Sequence, residues 1–191
     1  MKKSVLISLL SLALAGAASA ETYTIDPVHS SVGFSLRHLV SKFSSSFTKV
    51  NGTINYDAAK PEAGSVEATI AIDSVATANE KRDNHLKSPD FFDVARFPTA
   101  TFKSKSWKKT GENSFDVTGD LTIKDVTKEV VLKATLVGTG PGMDGAVLTG
   151  WEVTTTLKRS DFGVGTPMFA AALGDEVTIT AGIEAGYKPT K

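Results

Sequence analysis

Apolar side chains recur at every second position through most of this chain. Val32, Phe34, Leu36 and His38 share one face, and Val66, Ala68, Ile70 and Ile72 do so opposite Glu67 and Thr69. Phe115, Val117, Gly119, Leu121 and Ile123 oppose Asp116, Thr118, Asp120 and Thr122. Val130, Leu132, Ala134 and Leu136 form a fourth line, and Val177, Ile179, Ala181 and Ile183 a fifth. Period two is the mark of strands with one buried face. Weaker strand patterns cover Thr22–Asp26, Phe47–Asp57, Thr99–Trp107 and Ala146–Lys158, with turn chemistry at Gly111-Glu112-Asn113, Lys124-Asp125-Val126 and Gly138 to Gly145. Many antiparallel strands with short turns predict an all-β barrel or sandwich.

One stretch breaks the alternation. Thr77-Ala78-Asn79-Glu80 reads as a capping box that starts a helix running to about Lys87. Ser88-Pro89 starts a further turn carrying Phe91 and Phe92. The expectation is a helical insertion near residues 78–93 in an otherwise β chain.

The inward faces mix large residues with Gly52, Ala68, Ala100, Gly119, Ala134 and Ala181 and hold no Asp, Glu, Lys or Arg. Interiors tolerate few voids. Either neighbouring large side chains fill the space, or the interior is hollow; in a barrel of about eight strands both occur, and the pattern alone puts the filled interior ahead. A hollow one would suit a long apolar ligand, at about 0.8 kcal/mol per buried CH₂.

The N-terminus bears on compartment. Met1-Lys2-Lys3, the apolar run Val5 to Ala15, and Ala18-Ser19-Ala20 follow the order of a secretory signal peptide. Residues 1–20 are expected to be removed before Glu21, leaving a single exported domain over residues 21–191. The apolar run is short for a membrane span, so no transmembrane anchor is expected. Among 191 residues, 21 bases balance 21 acids; without the first twenty residues, which hold two lysines, the net charge is −2. That balance argues against nucleic acid as a partner. The absence of cysteine removes disulfides, thiol catalysis and thiolate metal sites.

Catalytic motifs are lacking. The histidines are His29, His38 and His85, and no HExxH, GxSxG or phosphate-binding loop occurs. Asp26, Asp83 and Asp90 lie near them in sequence, yet the spacing supports no metal site. The basic cluster Lys103, Lys105, Lys108 and Lys109 could form a binding stripe with Trp107, but Lys103 and Lys105 alternate outward from Phe102, so the better reading is a solvated strand face. Arg82 and His85, three apart on the helix, either meet a ligand's head at a barrel mouth or anchor the helix.

Several motifs resemble one family. Ile25-Asp26-Pro27-Val28-His29-Ser30 leads into Val32-Gly33-Phe34 and Arg37-His38. Arg82 to Asp93, followed by Phe97-Pro98 and Ala100-Thr101-Phe102, is similar to a central signature. Val117 to Ile123 with Val126-Thr127-Lys128, then Lys158 to Gly163, follow in the same order. Together they identify the chain as a member of the YceI-like family. The chain departs from it at Ser44-Ser45-Ser46, read as a turn, where the family places a glycine before the Phe47 strand. The resemblance implies a lipocalin-like antiparallel barrel in the periplasm holding a polyisoprenoid chain, such as a quinone tail or a prenyl phosphate. It also implies no catalytic cofactor and allows homodimers, and it turns the choice toward a hollow interior.

The expected tail contacts are Phe34, Leu36, Ile54, Val66, Ile70, Phe91, Phe102, Val117, Leu121, Leu132, Leu136, Val177 and Ile179. Phe162, Met168 and Phe169 are candidates for a mobile mouth beside the Gly163-Val164-Gly165 hinge, and His38, Arg82 and His85 for the head group. Two alternatives stay open. One is an enzyme acting on the bound lipid through a His–Asp pair, for which His38 alone stands on an inward line. The other is a filled-core protein with a stress-related interaction role.

Overall fold

The computed structural model describes residues 20–189; the signal-peptide expectation lies outside the described residues. Eleven strands run in chain order: β1 (Glu21–Ile25), β2 (Ser31–His38), β3 (Ser41–Phe47), β4 (Val50–Tyr56), β5 (Ser65–Ala71), β6 (Val75–Ala76), β7 (Thr99–Lys109), β8 (Ser114–Ile123), β9 (Val126–Pro141), β10 (Val147–Lys158) and β11 (Leu173–Tyr187). One helix, α1 (Glu80–Lys87), lies between β6 and β7. Neighbours pair antiparallel in the order β1-β4-β5-β7-β8-β9-β10-β11, and β11 returns to β1 through Thr24↔Gly186 and Ile25↔Ala185. Those eight strands close a barrel and leave no free edge between them.

β1 is too short to cover the whole of β11. Beyond it β2 takes over the same edge, from Gly182↔Ser31 to Leu173↔His38, and β3 pairs along β2. The seam is therefore β1 at one end of the barrel and the β2–β3 hairpin at the other. This corrects the reading of Ser44-Ser45-Ser46 as a turn. These serines sit inside β3, opposite Ser35, Phe34 and Gly33, and the Ser45 hydroxyl donates to the Ala76 carbonyl at 2.6 Å. Partner strands on both sides override a polar run with little strand character of its own.

The helical insertion lies where the pattern broke, but its start differs. Asn79 is the N-cap, accepting from the Arg82 N–H at 3.0 Å. Thr77 serves other partners: its N–H donates to Asp83 at 2.9 Å, and its hydroxyl accepts from Arg82 Nε at 2.9 Å. Ala78 between them has φ 57°, which turns the chain out of β6 and moves the cap by two residues. α1 then stops at Ser88, whose N–H bonds back to His85. The turn that follows buries Phe91.

Candidate functional site

The alternating faces converge on a cavity of about 550 Å³ inside the barrel. That volume falls within the ~300–1,000 Å³ usual for small-molecule pockets. Its walls come from every long strand: Phe34 and Leu36 from β2, Val66 and Ile70 from β5, Phe102 from β7, Val117 and Leu121 from β8, Leu132 and Ala134 from β9, and Val177 and Ile179 from β11. The small residues divide into two groups. A Cβ at Gly119 would overlap the Phe102 ring, and one at Gly52 would run into the β5 backbone, so their space is taken. Ala68, Ala100, Ala134 and Ala181 border the open space instead. The interior is partly filled and partly hollow.

One end is floored by aromatic rings. Trp107 and Trp151 border the cavity and are 6% and 3% exposed. They stand edge to face with centroids 5.6 Å apart, and Tyr56 and Phe115 pack around them. Their indole N–H groups find no oxygen or nitrogen acceptor; in such a cluster ring faces are the available acceptors. Burial holds the Tyr56 phenol above its ordinary pKa. Sequence reasoning set Trp107 on a solvated face with Lys103 and Lys105. The lysines do face out, paired with Glu67 at 2.7 Å and Asp120 at 2.6 Å. A bulge between Ser104 and Ser106 reverses the alternation after them and turns Trp107 inward.

The opposite end is the mouth. It is bordered by the β2–β3 hairpin, by α1 and the Phe91 turn, and by the segment between β10 and β11. Phe91 and Phe169 stack at 5.1 Å, and His85 meets both edge-on at 5.0 and 5.5 Å while its Nε2 lies 3.0 Å from Asp90. Phe162, which also borders the cavity, is buried. Gly163 and Gly165 both have positive φ, and Arg159 ties this segment down by donating to the Val164 and Gly165 carbonyls.

All but two of the apolar positions singled out from the sequence border the cavity, as do His38, Arg82 and His85. Leu136 does not: it pairs with Trp151 and packs into the core at the floor. Met168 does not either, being 77% exposed on the turn Pro167–Phe169. The expectation that no charged residue faces inward holds for the walls and fails at the mouth, where Lys42, Arg82, Lys158 and Arg159 join the lining. They come from strand ends and α1, where period two no longer decides which way a side chain points. A separate cluster, Asp26, His29 and Glu184, brings its ligand atoms within 4.8 Å of one another. Glu184 was missed because it lies far away in sequence. The Asp26 hydrogen bond to His29 raises the imidazole pKa and lowers that of the carboxylate.

Comparison with known proteins agrees with this architecture. A YceI-like domain matches residues 23–185. The chain is 40% identical over 189 residues to protein YceI of Escherichia coli O17:K52:H18, covering 96% of this chain and 97% of that one. It is 42% identical over 172 residues to a UPF0312 protein of Pseudomonas savastanoi pv. phaseolicola, covering 87% and 90%. Among solved structures, Burkholderia cenocepacia BcnA superposes with a TM-score of 0.77 at 27% identity, over 84% of this chain and 98% of that one. A domain from Saccharophagus degradans described as polyisoprenoid binding has the same fold, with a TM-score of 0.66 at 17% identity over 87% and 98%. With matching motifs, barrel and near-complete coverage, this chain belongs to the YceI-like family.

Proposed function

We propose that this protein is a periplasmic carrier, without catalytic activity, that shields the apolar chain of an amphiphile from water. The chain is a polyisoprenoid, such as a quinone tail or prenyl phosphate, or a lipid of similar width. The observation that carries this reading is a blind, hydrocarbon-walled cavity of about 550 Å³ with its charged side chains confined to one mouth. Roughly fifteen buried carbons at about 0.8 kcal/mol each give ~12 kcal/mol. Subtracting a minimal association cost of about 4 kcal/mol leaves ~8 kcal/mol, which corresponds to micromolar binding without one polar contact. The fold shared with a polyisoprenoid-binding domain is compatible with such cargo. Residues 1–20 supply the export signal.

The enzymatic alternative would have to use the His85–Asp90 pair, 3.0 Å apart and half exposed at the mouth rather than among the hydrocarbon walls. His38 is exposed at the end of β2, and no ion pair among the described residues includes it. The deciding experiment is organic extraction of protein purified from its native host, followed by mass spectrometry. A long-chain amphiphile near one per protein is the expected result. Protein that carries no lipid, and whose native mass equals that of the bare chain, would refute the carrier.

A further inference from the structure

Two tips of the chain stand at the mouth of the cavity, and both carry aliphatic side chains. His38 pairs with Ser41, so Leu39 and Val40 make up the whole loop between β2 and β3. Leu39 has φ 50° and Val40 has no positive φ, the pattern of a type II′ turn, whose first place normally falls to glycine. Leucine is disfavoured there, and a hairpin built only to turn would use Gly, Asn or Ser. The turn's backbone is nonetheless held. The Leu39 N–H donates to the Ala172 carbonyl at 2.7 Å, and the Leu39 carbonyl accepts from Arg37 at 2.9 Å. The side chains are left to solvent, Leu39 at 56% and Val40 at 102% exposure.

Ala172 belongs to the second tip. From Phe162 to Gly174 the chain has no charged residue, and Thr166 carries its one hydroxyl. Pro167, Met168, Ala170 and Ala171 are exposed there, Met168 at 77%, whereas Phe169, Ala172 and Leu173 line the cavity. The apolar wall therefore continues over the rim and out onto both tips. Met143, on the turn at the far end of β10, is also fully exposed but has no such continuity.

Charge gives this rim no preference. Arg37 and Lys42 share an outer groove with Asp175 and Glu176, and Lys158 stands opposite Glu176 across the ladder. So few aliphatic side chains fall short of a stable protein interface, which takes about 800 Å² from each partner. They suit a bilayer, where each apolar side chain withdrawn from water contributes without needing a complementary surface. A cargo chain held by burial also loses that burial on leaving, unless the mouth opens directly onto another apolar phase.

We propose that the mouth docks on a lipid bilayer, inserting Leu39, Val40 and Met168, so that cargo passes between membrane and cavity without crossing water. This rests on the carrier reading and adds the surface that the cargo comes from. The test is flotation with vesicles of dioleoyl phosphatidylcholine. It uses exported protein whose mass begins at Glu21, so that the apolar run Val5 to Ala15 takes no part. Wild type should float equally in low and high salt, and no better when phosphatidylglycerol is added. Leu39→Gly combined with Val40→Asn should weaken partitioning at least roughly tenfold. Urea stability should not fall, because glycine suits the backbone at position 39 better than leucine does. Met168→Gln should weaken partitioning too, and Met143→Gln should leave it unchanged.

The chain has no cysteine, so Val40→Cys accepts a single environment-sensitive fluorophore. Its emission should shift to the blue on vesicles, and the same label on Met143→Cys should not respond. Wild-type protein that stays in solution overturns docking, and lipid that still co-purifies with it then leaves the carrier reading standing. Flotation that survives the Leu39 and Val40 double variant, or that requires phosphatidylglycerol, overturns the apolar tips as the docking surface. A solution mass that halves in the double variant assigns the tips to a second copy of this chain and overturns the bilayer. Protein that floats but carries no lipid from its native host supports docking and refutes the carrier.

Discussion

Ala134→Trp tests the cavity most directly. Ala134 is 6% exposed and borders the open space, between Phe115 of β8 and Val153 of β10. An indole there projects into the volume a ligand chain would occupy. Displacing one isoprene unit, about five carbons at ~0.8 kcal/mol each, costs binding ~4 kcal/mol. At 1.4 kcal/mol per decade that weakens Kd by nearly three orders of magnitude. Overpacking a filled core typically costs about 1–3 kcal/mol. Here much of the added ring enters empty space, so a domain of ordinary stability, about 5–15 kcal/mol, stays folded. The assay is lipid per protein after extraction, with far-UV circular dichroism and a urea transition as fold controls. Val131→Trp, on the outer face of the same strand at 43% exposure, should retain wild-type lipid. A folded Ala134→Trp protein carrying as much lipid as wild type refutes the assignment of this wall to the ligand.

Four further outcomes follow from the same geometry. In an n-alcohol series, affinity should rise with each CH₂ and level off once the cavity is full, at roughly eighteen heavy atoms if each takes ~30 Å³; a rise that never levels contradicts a blind pocket. Gly119→Ala should lower urea stability by about 1–3 kcal/mol, because its methyl meets the Phe102 ring, and an unchanged midpoint counts against that packing. His29 should titrate above its ordinary value by NMR, and Asp26→Asn should lower it, with Glu184 retaining the smaller part of the rise. The stability from the raised histidine is present at low pH and is lost as pH rises through its native pKa. That from the lowered Asp26 is present at higher pH and is lost as pH falls through its own, so the variant differs most from wild type between about pH 4 and 6.5. Asn79→Ala should cost about 1 kcal/mol and speed amide exchange in the first turn of α1; if Thr77→Ala alone does so, the cap belongs to Thr77 after all.

The walls of the site were legible because each strand carries its own period-two signal. Phe115, Val117, Gly119 and Leu121 are all buried along β8 while their neighbours are less so. The helix end at Lys87 was legible too, since Ser88-Pro89 is a local stop. What escaped depends on partners remote in sequence. β3 is a strand because β2 and β6 pair with it, and no window around Ser44 contains that information. The cap moved from Thr77 to Asn79 because Thr77 is held by Arg82 and Asp83. The mouth cations were missed for a related reason: Lys42 and Arg159 sit where a strand begins or has just ended, and only the closed barrel shows that those ends surround one opening.

The bulge in β7 bears most directly on function. Strict alternation from Phe102 places Trp107 outside with Lys103 and Lys105, and leaves the interior without one of its largest side chains. One extra residue between Ser104 and Ser106 shifts the phase, so that Trp107 turns in against Trp151, Tyr56 and Phe115. A single-residue slip reverses every later side chain on a strand, and here it replaces a charged surface position with a ring across the barrel. That ring helps make the cavity blind. In a tube open at both ends a chain would meet water at each, and burial would stop discriminating by length. With a floor at Trp107 and Trp151 and cations only at the mouth, an amphiphile gains most by entering tail first and leaving its polar group at the rim.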